Sequence, residues 1–178
     1  MLNLQSSDFE LFGLPEQFAQ DESAIDIRWK ELQRQAHPDK FAAQGAAAQR
    51  VAMQWSVRIN EAYRRLKDPL RRAAYLCELR DAPISAESNT AMPKAFLMEQ
   101  MAWREALDEA HSETELDALQ ETLAHARGDV LARIAAALDR DGDAAEAARQ
   151  VRALMFIERF GQDVQARFDG IENRQQGQ

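Results

Sequence analysis

The feature that most constrains this chain is the corner His37-Pro38-Asp39 between two amphipathic stretches. Upstream, Ile25, Trp29, Leu32 and Ala36 recur at helical spacing; downstream, Val51, Ala52, Trp55, Ile59, Ala62, Tyr63 and Leu66 do the same. Pro38 carries no N–H and pushes His37 out of the helical region, so the first helix must stop there. Two helices then fold back as a hairpin, pack their apolar stripes together and hold the tripeptide in solvent at the tip.

The flanking residues extend this unit. Phe9, Leu11, Phe12 and Leu14, closed by Gly13 and Pro15, predict a short helix and turn packed on the hairpin. Ser23 is placed to cap the first hairpin helix, with Asp26 in its first turn. That helix ends near Ala36, and Lys30 and Arg34, four apart, share a face. The return helix begins at Gly45 and stops near Lys67, before Asp68-Pro69. Pro69 suits the first turn of a further helix carrying Leu70, Ala74, Leu76 and Leu79. The Pro- and Ser-containing run 80–89 is the plausible linker.

The second half predicts three more helices. The first spans about 93–110. The second starts at Ser112, whose spacing to Glu115 is a capping box, and carries Leu116, Leu119, Leu123, Val130, Ile134 and Leu138. Gly128 weakens it. Asp141-Gly142-Asp143 is a turn, and a third helix runs from Ala144 to about Asp169. Short turns imply antiparallel neighbours, hence a three-helix bundle over 90–171 and a flexible tail over 172–178. No strand pattern is visible, so the fold class is all-α, with the helical hairpin and its flanking helices preceding the bundle.

Several function classes are excluded or disfavoured. A net charge of −8 argues against a nucleic-acid binder. No apolar run approaches a membrane span, and Met1 to Glu10 does not read as a secretory signal, which places the protein in the cytoplasm. Cys77 is the lone cysteine, so no internal disulfide or Cys-x-x-Cys metal site exists, and His111 and His125 lie far from His37 in sequence; no metal or cofactor is expected. His37 and Asp39 could be drawn as a base and its orienting carboxylate. A nucleophile, an oxyanion hole and a pocket are all missing from that picture, so neither is expected to be catalytic.

One periodicity is left over. Phe96, Trp103, Leu107 and Ala110 make the core stripe of the 93–110 helix, which sends Leu97, Met98 and Met101 elsewhere, beside Arg104, Glu105, Asp108 and Glu109. Met155, Phe156 and Phe160 fall off the stripe of the last helix. These residues either widen the core face or form an apolar patch with a charged rim, which marks a partner site.

The hairpin with His37-Pro38-Asp39 resembles a J-domain, the module by which DnaJ-type co-chaperones stimulate ATP hydrolysis by a DnaK-type chaperone. Leu11-Phe12-Gly13-Leu14-Pro15, the run Asp68 to Leu76 and the run Ala95 to Gln100 are similar to the HscB family, J-domain co-chaperones of iron–sulfur cluster assembly. The resemblance implies a J-domain at 1–79 that meets an HscA/DnaK-type chaperone through His37, Pro38, Asp39, Arg28, Lys30, Arg34 and Lys40. It implies a bundle that binds an IscU-type scaffold through Leu97, Met98, Met101, Arg104, Glu105, Glu109 and Phe156. It also marks departures: Ala102 stands where an acidic contact is expected, Met101 replaces a Leu, and Ala36 precedes the tripeptide where an aromatic is common. The rival readings are a J-domain serving another client and a structural helical adaptor whose tripeptide is only a turn.

Overall fold

The computed structural model describes residues 3–84 and 92–176, with side chains to 171. The expected linker therefore lies partly outside the described residues. Among the described residues the structure is helical, without strands, and the chain divides into two compact units, Met1–Leu79 and Arg80–Gln178.

The first unit begins with α1, Asp8–Phe12, held by a reciprocal capping box between Ser7 and Glu10 and ended by Gly13 at φ 62. Phe9, Leu11 and Phe12 are buried. Helix α2, Glu22–Ala36, is capped by Asp21, whose carboxylate accepts the Ser23 N–H, so Ser23 lies inside the helix rather than capping it. A 3-10 helix, Pro38–Gln44, fills the corner that the sequence suggests is a loop. Gly45, at φ 93, turns the chain into α3, Ala46–Lys67, and α4, Pro69–Leu79, follows. Ile25, Leu32, Ala52, Ile59, Ala62 and Leu66 form the seam of the hairpin. Val51 does not join them: it is 53% exposed.

Polar contacts fix the register of that seam. The Trp29 ring stacks on Tyr63 at 4.7 Å, and its indole N–H donates to Asn60 Oδ1 at 2.9 Å. Gln33 donates to the same oxygen and accepts from the Ser56 hydroxyl at 2.9 Å. Two buried charged residues tie the short elements down. The Asp8 carboxylate pairs with Arg58 at 2.7 Å and Arg65 at 3.1 Å, while its backbone N–H donates to the Tyr75 hydroxyl. Arg72 donates to the Phe18 and Leu66 carbonyls. Removing one partner from a buried ion pair is expensive, so these contacts specify where α1 and α4 sit.

The second unit contains α5, Lys94–Glu109, α6, Glu113–Ala135, and α7, Ala144–Gln176. The Ser112–Glu115 capping box forms as the spacing predicts. Helix α6 widens into a π-helical turn, Ala136–Asp141, closed by Gly142 at φ 68; Asp143 then caps α7 by accepting the Glu146 N–H at 2.8 Å. Leu116, Leu123, Ile134, Val151, Leu154, Ile157 and Val164 fill the α6–α7 interface. Phe160 is only 1% exposed, so it belongs to the core rather than off its stripe. Helix α7 continues to Gln176, through part of the expected tail, because no proline interrupts it and Glu172 to Gln176 are mostly good helix formers.

Gly128 lies in the interior of α6, with open space where a Cβ would stand. Gly128→Ala should stabilise the helix by about 1 kcal/mol, read as slower hydrogen exchange through α6. Equal or faster exchange would show a packing cost that the open space does not predict.

Candidate functional sites

At the tip of the N-terminal hairpin, His37 adopts φ −63, ψ 124, the extended conformation that a residue before proline prefers. Its Nδ1 accepts the Asp39 N–H at 3.3 Å, and its carbonyl accepts the Lys40 N–H at 3.0 Å. The Asp39 carboxylate stands 3.6 Å from Nδ1. Both side chains are mostly in solvent, at 57% and 89%. With Nδ1 accepting, a neutral His37 carries its proton on Nε2, the nitrogen free to meet a partner. The corner thus presents an imidazole and a carboxylate in a turn fixed by a proline ring. Both groups are open to water rather than enclosed.

The structure divides the basic residues of α2. Lys30 and Arg34 are exposed and share one face, and Lys40 is exposed in the 3-10 helix. Arg28 points the other way: its Nε donates to the Phe12 carbonyl at 3.0 Å, and its Nη1 pairs with Glu31 at 3.1 Å. It holds α1 against α2 and does not belong with Lys30 and Arg34. Two features escape a reading by charge alone. Ile27, 60% exposed, lies on the Lys30–Arg34 face. Beside the corner, Leu32, Ala36, Phe41, Val51, Trp55 and Ile59 help to line an apolar groove of about 610 Å³. Ala36 contributes only a methyl group to it, and Val51 borders it rather than entering the seam.

Asp26 sets the electrostatics at the base of the hairpin. Its carboxylate accepts from Lys67 at 2.9 Å and from the Tyr63 hydroxyl at 2.9 Å. The Lys67 hydrogen bond, followed by that of Tyr63, holds the carboxyl below the ordinary aspartate range. The hydrogen bond to Asp26 raises Lys67 and Tyr63 above theirs.

In the second unit, α5 faces two ways. Trp103 is buried and Phe96 half-buried, while Leu97, Met98 and Met101 are 42%, 63% and 73% exposed on the opposite side. Glu105 and Glu109 are exposed along the rim, as is Arg104, whose guanidinium lies 6.0 Å from the centre of the Phe160 ring. Phe156 is half-buried: its ring meets Phe96 edge-on at 5.9 Å and stacks on Trp103 at 6.5 Å and Phe160 at 6.0 Å. It is part of an aromatic cluster joining α5 to α7. Ala102 is exposed, so this position offers no charge. Met155, 40% exposed, is a further apolar residue at the surface of α7.

Among the described residues no group of His, Cys, Asp and Glu could hold a metal ion, and no helix is long and apolar enough to cross a membrane.

Comparison with known proteins places both units. The family model described as the HSCB C-terminal oligomerisation domain matches residues 92–165. A co-chaperone protein HscB homolog of Burkholderia multivorans is 50% identical over 175 residues, covering 97% of this chain and 99% of the relative. The solved chaperone HscB from Vibrio cholerae is 37% identical, with a TM-score of 0.85 over 93% of this chain and 99% of that one. The human co-chaperone HscB structure, at 24% identity and TM-score 0.87 over 93% of this chain and 84% of that one, shares the fold.

The Asp26 contacts also predict a pH dependence. Because the folded value is depressed, their contribution is complete above the ordinary aspartate value of 3.8 and is lost as pH falls through the lower folded value. Asp26→Asn should therefore destabilise the hairpin at pH 7, with the difference from wild type shrinking to nothing in acid. Hydrogen exchange of α2 and α3 across that range checks it; a deficit that persists in acid would assign the effect to packing.

The likeness runs through both units and nearly the whole length of its relatives: the chain belongs to the HscB family, the J-domain co-chaperones of iron–sulfur cluster assembly.

Proposed function

We propose that this co-chaperone brings an IscU-type scaffold to an HscA/DnaK-type chaperone and stimulates that chaperone's ATPase. Residues 1–79 are the J-domain and dock through His37, Pro38, Asp39, Lys30, Arg34 and Lys40. The 90–171 bundle holds the scaffold through Leu97, Met98, Met101, Arg104, Glu105, Glu109 and Phe156. The observation that carries this reading is that each unit keeps one chemically distinct surface out of its core. One is a rigid polar corner with lysine and arginine beside it; the other is an apolar patch rimmed by carboxylates.

Each surface suits its role physically. Pro38 removes backbone freedom at the corner, so little entropy is lost when His37 and Asp39 are captured. Lys30, Arg34 and Lys40 steer the hairpin toward an acidic partner surface, which accelerates encounter and sets orientation. On α5, the thioethers of Met98 and Met101 adapt their packing to a partner, and Leu97 and Phe156 supply firmer contacts. Arg28 contributes indirectly, by fixing α1 on the helix that carries the basic face.

The protein needs no catalytic residue or cofactor for this and acts in the cytoplasm. Its contribution is a difference in affinity: it binds the hydrolysis-competent state of the chaperone better than the other states and so raises that state's population. Covalent linkage of the two surfaces makes arrival of the scaffold at the chaperone an intramolecular event.

The test is the steady-state ATPase rate of a purified HscA-type chaperone with this protein, with scaffold, and with both. Both together should stimulate more than the two separate effects multiplied. His37→Gln should abolish stimulation while leaving the helical circular dichroism intact, since the side chain is exposed. Met101→Asp should remove the scaffold-dependent part, weakening scaffold binding at least tenfold. Stimulation indifferent to the scaffold would assign the bundle a different client, and a fully active His37→Gln protein would reduce the corner to a turn.

A further inference from the structure

The distribution of sulfur in this chain is uneven in a way that bears on the docking patch. The thiol of Cys77 is fully buried in the first unit and cannot be reached by an oxidant in the folded state. The well-exposed sulfur is thioether. Met98 and Met101 are 63% and 73% exposed, three residues apart on one face of α5, next to Leu97 and Glu105. That face is opposite the one that buries Trp103, so a chemical change there alters the surface and leaves the core of the unit untouched.

We propose that Met98 and Met101 form a reversible oxidation site through which a peroxide turns off scaffold docking. The inference rests on the docking reading of this patch. The sulfur lone pair attacks one oxygen of hydrogen peroxide, the O–O bond breaks, and the leaving hydroxide takes the proton carried by the oxygen now on sulfur and departs as water. The thioether becomes a sulfoxide, oxidised by two electrons, and the peroxide is reduced. A thiol-dependent methionine sulfoxide reductase reverses the step, releasing the oxygen as water while two thiols become a disulfide. The product is a polar, chiral, strong acceptor where the patch offered an adaptable apolar surface. The neighbouring Glu105 and Glu109 carboxylates are acceptors too, so burial against an apolar partner surface leaves the new oxygen unsatisfied.

The chain carries its own controls. Met53, 60% exposed on α3, should oxidise readily but lies outside the patch. The experiment treats the full-length protein with hydrogen peroxide, locates the added oxygen by peptide mass spectrometry, and measures affinity for a purified IscU-type scaffold before and after. The readout is the treated-to-untreated ratio for each protein. Wild type should weaken at least tenfold, with unchanged helical circular dichroism, and should recover with reductase. Met53→Leu should show the same loss. Met98→Leu/Met101→Leu should show a ratio near one. Saturating scaffold should protect Met98 and Met101 from the oxidant and leave Met53 unprotected.

Unchanged affinity with oxygen present on both methionines would overturn the inference while keeping the docking reading. The same oxidative loss in the Met98→Leu/Met101→Leu protein would also overturn it, by assigning the loss to another residue. Absence of binding by untreated wild type would overturn the docking reading and the oxidation site with it.

Discussion

A helix in water can hide one apolar stripe, and this chain, which has no strands among its described residues, is held together in each unit chiefly by the pairing of such stripes. In the N-terminal unit the pairing is dictated by Pro38. It ends α2 abruptly and lets α3 return along the stripe of Ile25, Leu32, Ile59 and Leu66. Burying a side chain of that size stabilises the fold by about 2 kcal/mol. The same turn that makes the seam possible leaves His37 and Asp39 outside it. Stability and exposure of the corner therefore have one cause. A substitution that let α2 continue past residue 37 would lose both.

The bundle shows the complementary situation. Helices α6 and α7 bury the stripes of each other, and an aromatic cluster of Phe96, Trp103, Phe156 and Phe160 ties α5 to α7. Having spent one face on that cluster, α5 has no partner for Leu97, Met98 and Met101. Such a helix costs stability and solubility unless its outer face meets something, which is the physical reason to look for a client there. Phe156 belongs to that cluster and is still only half-buried, so its ring holds α5 in place while part of it stays accessible.

Much of this was legible from residue order because the controlling interactions are local. The proline corner, the Ser112–Glu115 capping box and the Gly142 turn each depend on neighbours within a few residues, and each formed where spacing placed it. What sequence reasoning missed depends on distant partners. Nothing near Asp8 announces that it will be buried between Arg58 and Arg65. Arg28 looks like Lys30 until α1 folds back and offers it the Phe12 carbonyl. Asp21 and Ser23 are both competent caps, and the structure chose the former by starting the helix earlier. Phe160 read as surplus because its burial depends on Trp103 of α5 and on Phe156, and contacts between helices leave no periodic trace. On α5, the pattern placed Leu97, Met98 and Met101 off the core stripe, whereas the choice between a broad core and an exposed apolar face needed the exposures themselves.

The proposed function requires the two surfaces to act from one covalently joined molecule. The most direct measurement mixes equal amounts of the His37→Gln and Met101→Asp proteins and follows scaffold-dependent stimulation of the chaperone ATPase against wild type at the same concentration of each intact site. Each variant retains the surface that the other lacks, but no single molecule has both. The mixture should give no more than the sum of the two variants alone, because the scaffold is then held by a molecule that cannot engage the chaperone. Recovery of wild-type synergy by the mixture would contradict it, since the two surfaces would then act without being linked.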